Sequence, residues 1–130
     1  MNDMTYKELL DSTILEDVLN LHDSIIRIDS IDVRDLFQDG VGIHTLEVSV
    51  DVSNENRMAF LTALIRRKTK HFEPFNHVLV FFIFPKDQPL LIEELQPFSD
   101  WIETLPGDFL IKWGMATHST EGIRAIVLLQ

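Results

Sequence analysis

The sequence predicts an α+β domain built on a four-stranded mixed sheet, with two long helices packed on one face. Three observations carry this. Residues 78–84 read Val-Leu-Val-Phe-Phe-Ile-Phe, an unbroken apolar run of strand length that stops at Pro85. Two stretches, one holding Met58, Leu61, Leu64 and Ile65 and one holding Leu91, Leu95, Phe98, Ile102 and Leu105, repeat apolar residues at the three- and four-residue intervals of a helix. Leu46, Val48 and Val50 alternate with Glu47, Ser49 and Asp51, the two-residue period of a half-buried strand.

Taken in order, the elements are a leading helix over 1–27, a short helix, then β-α-β-α-β-β as one globular unit over 28–130. Thr5 and Glu8 can form a capping box, and Leu10, Ile14, Val18, Leu21 and Ile25 continue the helical spacing. Ile31, Leu36 and Phe37 suggest a short helix stopped by Asp39-Gly40. Ser53 or Asn54 is placed to cap the helix through Met58, whose last turn carries Arg66, Arg67 and Lys68, where the helix dipole favours cations. Pro97 lacks a backbone donor, so the Leu91–Leu105 stripe is expected to start late or bend there. Phe109–Ala116 and Ile123–Leu129 read as two more strands, and the link across Thr117–Gly122 suits an antiparallel hairpin.

A chain of 130 residues with 45% hydrophobic content supports one packed core. It has no cysteine, which excludes disulfides, thiolate catalysis and cysteine-based zinc sites. No window of 18 apolar residues and no basic-then-apolar leader is present, so a cytoplasmic protein without direct membrane contact is expected. The net charge of −10 is unevenly spread: residues 1–56 hold 13 acids and 3 bases, whereas residues 57–130 hold 8 of each. That balance argues against a nucleic-acid partner, which would need clustered bases on one face; Arg66-Arg67-Lys68 with Lys70 is the local exception.

Where the chain changes direction after the leading helix stands Arg27-Ile28-Asp29-Ser30-Ile31-Asp32-Val33-Arg34, an elbow with two carboxylates three residues apart. Asp29 falls at or just before a helix start and Asp32 in its first turn. A carboxylate at either position stabilises a helix end by about 0.3 to 1 kcal/mol, and the pair can also orient water or a cation. Asp35 and Asp39 extend the acidic side. A surface row of acids is more often solvated than metal-bound, so no metal site is expected. His22, His44, His71, His77 and His118 lack zinc-ligand spacing, and Ser119 beside His118 lacks a third orienting group, so no nucleophilic site is expected either. Trp101 and Trp113 are expected in the core.

The element order, the elbow, Asn54-Glu55-Asn56-Arg57, and the ending from Ile111-Lys112-Trp113-Gly114-Met115-Ala116 to Ile123-Arg124-Ala125-Ile126-Val127 together resemble the C-terminal domain of FtsZ, the bacterial tubulin homologue of cell division. The likeness runs from about Leu15 to Leu129. In that family the elbow is an Asn-x-Asp-x-x-Asp loop whose acids position water in the GTPase site of the next subunit. The resemblance puts Asp29 and Asp32 on those acids, while Arg27 stands where the family has asparagine. Asn54–Arg57 is similar to the family's Gly-Glu-Asn-Arg, and Gly114 matches a family glycine.

The five glycines, Gly40, Gly42, Gly107, Gly114 and Gly122, form no phosphate-cradling cluster, so no nucleotide or other cofactor is expected within the chain. The resemblance therefore implies a non-enzymatic assembly module that meets an FtsZ-type protein, or its own copies as a homo-oligomer, through Arg27, Asp29 and Asp32, with Arg34 and Asp35 as further contacts. Two alternatives stand beside it. One is an excised C-terminal domain of a longer FtsZ-like GTPase. The other is a small enzyme on a chorismate-mutase-like scaffold, which would need several of Arg27, Arg34, Arg57, Arg66, Arg67 and Arg124 to converge on a dicarboxylate.

Overall fold

The apolar run of residues 78–84 forms the centre of the sheet. In the computed structural model, which describes residues 3–4, 24–26, 36–37, 42–51, 56–72, 74–88, 90–106, 108–118 and 122–130, it belongs to a strand over His77–Pro85 in which every residue is buried. The described elements are β1 (Asp3–Met4), β2 (Ser24–Ile26), β3 (Ile43–Asp51), α1 (Arg57–Thr69), β4 (His77–Pro85), α2 (Gln96–Glu103), β5 (Leu110–His118) and β6 (Gly122–Leu129). Their order in the sheet is β1-β3-β6-β4-β5-β2. The four long strands make the mixed sheet: β4 and β5 are parallel, and β6 is antiparallel to both β3 and β4. This is the α+β class that the sequence predicts. The short β1 and β2 add to its two edges, antiparallel to β3 and β5.

Successive side chains of a strand point to opposite faces, and both faces of β4 are covered. Val78, Val80, Phe82 and Phe84 join Met58, Leu61 and Ile65 of α1 and Phe98 and Trp101 of α2 in one core. Leu79, Phe81 and Ile83 on the other face are equally buried. Full burial of a side chain of this size contributes about 1.5 to 3 kcal/mol, which explains why this strand takes the centre.

Helix α1 buries Met58, Leu61 and Ile65, as the spacing predicts, and ends with Arg66, Arg67 and Lys68 in its last turn. Ser53 and Asn54, the expected caps, lie outside the described residues; Asn56 occupies the cap position, and its side chain makes no capping hydrogen bond to the helix. The second helical stripe does start late. Residues Ile92–Leu95 form a 3₁₀ turn, and α2 begins at Gln96 with Pro97 in its first turn, where a missing donor costs nothing. Leu91 stands outside the helix and is exposed.

Two expectations are corrected. The last two strands do not form a hairpin, because β4 lies between β5 and β6. A two-residue turn would force adjacency, whereas the longer link leaves the order open. The most apolar strand then takes the position with a partner on each side. The second correction concerns the end of the leading helix. Ser24–Ile26 is strand β2, with Ser24 opposite Ala116 and Ile26 opposite Met115. Two adjacent β-branched isoleucines suit an edge pairing there better than a last helical turn. Asp3–Met4, also within the 1–27 span, is strand β1, paired with β3; the rest of that span falls outside the described residues, as does most of the short helix. Of the latter, Leu36 is helical and Phe37 lies in a bend, both buried.

Candidate functional site

The elbow residues Arg27, Asp29, Asp32, Arg34 and Asp35 lie outside the described residues. Their described neighbours are held firmly: Ile26 pairs with Met115 on β5, and Leu36 and Phe37 are 3% and 4% exposed. The elbow is thus flanked by a strand pairing on one side and by two buried side chains on the other.

The other half of the sequence motif is described in detail. Arg57 begins α1, where the positive end of the helix dipole disfavours a cation, so it needs an acid nearby. That acid is Glu94, 37 residues away in the 3₁₀ turn before α2. Arg57 Nε donates to Glu94 Oε2 at 2.7 Å, and a second guanidinium nitrogen donates to Oε1 at 2.8 Å, a two-point clamp. A third donor reaches the Gln88 carbonyl at 2.9 Å, just beyond β4. The guanidinium also lies 5.2 Å from the ring centre of Phe84. One arginine thus ties the start of α1, the end of β4 and the entry to α2 together.

Hydrogen bonding from Arg57 holds the Glu94 carboxyl below its ordinary glutamate range. Burial pushes the other way, and the Leu91 N–H, donating to Oε1 at 2.9 Å, adds to the lowering. With its planar donors engaged by Glu94 and Gln88, Arg57 acts as a brace and leaves no free fork for a ligand carboxylate. Arg124 is engaged as well, by Glu47 across the β3–β6 ladder. Of the arginines that a dicarboxylate enzyme would need, Arg57 and Arg124 are thus each engaged by an acid, and Arg27 and Arg34 lie outside the described residues.

His44 packs against Phe72 with ring centres 4.7 Å apart, His71 is exposed, and His77 is buried with Nδ1 lacking a partner. Among the described residues no group of three potential metal ligands sits together. Trp101 is buried and Trp113 half-buried, and both rings belong to an aromatic cluster around Phe98. Gly114 lies on β5 opposite Phe81. Two of the cavities beside α2 have small-molecule size. One, of about 440 Å³, opens between the C-terminal ends of the two helices, and the other, of about 380 Å³, runs between α2 and β5. Among the described residues no helix is long and apolar enough to cross a membrane.

No family model and no curated protein matches the sequence. Among solved structures, a tryptophan-to-tyrosine mutant of FtsZ from M. jannaschii matches 95% of this chain with a TM-score of 0.65. The fold is FtsZ-like. Sequence identity to that FtsZ is 16%, so the likeness is one of fold, and the present chain spans 40% of the FtsZ chain's length. The comparison agrees with the mixed sheet and its two helices. It does not address the role of the acidic elbow.

Proposed function

We propose that this chain is a non-enzymatic counterpart of the FtsZ C-terminal domain, one that contacts an FtsZ-type protein or a second copy of itself through the elbow at Arg27, Asp29 and Asp32. The observation that supports this reading is an FtsZ-like fold over 95% of the chain, combined with two acids at the spacing that the resemblance assigns to the FtsZ contact loop. Arg34 and Asp35 would flank that contact. Arg27 in place of asparagine changes the charge at the first position of the loop, so the reading assigns the elbow to contact and not to positioning a catalytic water. A link to cell division follows only through the partner.

The test mixes the purified chain with FtsZ from the same organism and GTP, then reads hydrolysis and sedimentation together. The expected result is co-sedimentation, or altered polymer mass or turnover, lost in the Asp29→Ala/Asp32→Ala double variant. If the chain has no effect on FtsZ and does not self-associate, or if the double variant acts as the wild type does, the reading is wrong. A second reading is that the chain corresponds to part of a longer FtsZ-like GTPase. Its support is the 40% span, and comparing the open reading frame with this sequence decides it.

A further inference from the structure

The cavity between the C-terminal ends of α1 and α2 has features that the assembly reading does not use. Its volume of about 440 Å³ lies within the range of small-molecule sites, about 300 to 1,000 Å³. Its walls are aromatic and apolar: Phe75, Trp101, Leu105 and Phe109 line it. Trp101 is 5% and Phe75 8% exposed, so these rings are fixed by the core behind them. Phe75 and Phe109 meet edge to face with centres 5.6 Å apart, which makes one side of the cavity rigid.

The rim is charged. Arg66, in the last turn of α1, and Lys70, the residue that caps its C-terminal end, both line the cavity, four residues apart, and both are exposed. Among the described residues neither forms an ion pair. Like charges at this spacing repel by a few tenths of a kcal/mol, and an anion seated between them would relieve that repulsion. The negative ends of two helix dipoles point the same way and would oppose an anion. Both ends are blunted, however: Thr69 Oγ1 donates to the Arg66 carbonyl at 3.1 Å, and Thr104 Oγ1 donates to the Trp101 carbonyl at 2.6 Å. Two full positive charges outweigh what remains of the two half-charges. On a chain of net charge −10, this is a local reversal of sign beside an aromatic pocket.

We propose that this cavity binds a small organic anion with a flat apolar body, of which an aryl carboxylate is the simplest member. The ring would pack against Trp101, Phe75 and Phe109, while Arg66 takes the carboxylate through its planar fork and Lys70 adds a point charge. The proposal does not depend on the FtsZ-like contact.

The probe is 2-naphthoate, titrated into the whole chain and followed by the indole N–H signals of Trp101 and Trp113. Trp113 lines the other cavity, so the two signals separate the sites. The expected result is saturable one-to-one binding that shifts Trp101 and leaves Trp113 unmoved. Arg66→Gln/Lys70→Gln should weaken it at least about tenfold, and the neutral naphthalene-2-carboxamide should bind about tenfold more weakly to the wild type. Arg67→Gln/Lys68→Gln, equally exposed but off the rim, should leave the affinity unchanged. All four positions are at the surface, so the variants should fold. The proposal is overturned if binding does not saturate, if Trp113 responds instead, if the carboxamide binds as tightly as the carboxylate, or if both double variants weaken binding equally.

Discussion

Replacing Arg57 by methionine removes a brace that joins three elements while keeping most of the aliphatic length that packs near Phe84. The side chains of Arg57 and Glu94 are 8% and 18% exposed, so neither charge is well solvated in the folded state. Removing one partner of a buried pair costs about 3 to 5 kcal/mol, chiefly because the other charge is left uncompensated. Water still reaches Glu94, which places Arg57→Met near the lower end, at about 3 kcal/mol. Glu94→Gln keeps an acceptor for Arg57 and should cost less, about 1.5 to 2 kcal/mol. Because each variant alone strands the other group, the double variant should be less destabilised than the sum of the two, with a coupling energy of about 2 kcal/mol.

The same pair sets an acid limb. The folded-state value of Glu94 lies below its ordinary range, so the stabilisation is complete above the ordinary glutamate range and fades as pH falls through the lowered folded value. Urea denaturation of wild type, both single variants and the double variant, at neutral pH and in acid, measures all of this. A cost below about 1 kcal/mol for Arg57→Met, additivity within about 0.3 kcal/mol, or an unchanged acid limb in Glu94→Gln would refute the reasoning.

The remaining predictions concern packing and surface charge. A Cβ built on Gly122 would stand 2.5 Å from the Val50 carbonyl oxygen, so Gly122→Ala must shift the β3–β6 ladder and should lower the urea midpoint by the equivalent of about 1 to 3 kcal/mol. Phe82→Ala should cost about 3 to 5 kcal/mol, because Phe82 is fully buried and packs edge to face on Phe98 at 4.9 Å; differential scanning calorimetry reads the loss. Arg124 and Glu47 form an exposed pair, and Glu47→Gln should change stability by less than about 0.5 kcal/mol in the same scan.

Where the sequence carried a period, it was legible. The run through Phe81 and Phe82 has only one sensible place, between two strands and between two faces, and Pro97 could sit only in a first turn or at a bend. Strand order was not legible, since the Thr117–Gly122 link allows both a hairpin and the observed arrangement with β4 inserted. Ile25 misled because a β-branched residue at a helical interval also fits a short edge strand, and a three-residue pairing with β5 decides the matter through contacts far away in sequence. The brace between Arg57 and Glu94 spans 37 residues. One local signal pointed toward it: an arginine at the start of a helix with no acid in the first turn must find its counter-charge elsewhere. For the elbow, the sequence carries the proposal, and the described structure contributes the anchoring of Ile26, Leu36 and Phe37 on either side.

The most direct measurement uses the absence of cysteine from the chain. A Ser30→Cys variant places a single thiol between the two elbow acids, and labelling it with a benzophenone photo-cross-linker reports what touches the elbow. Mixed with FtsZ and GTP, the labelled chain is expected to cross-link to the nucleotide-bearing part of FtsZ or to the matching surface of a second copy. A label at Ser49→Cys, exposed on β3, should give no such product. Equal cross-linking from both positions, or none from Ser30→Cys, would contradict the assignment of the elbow as a contact surface.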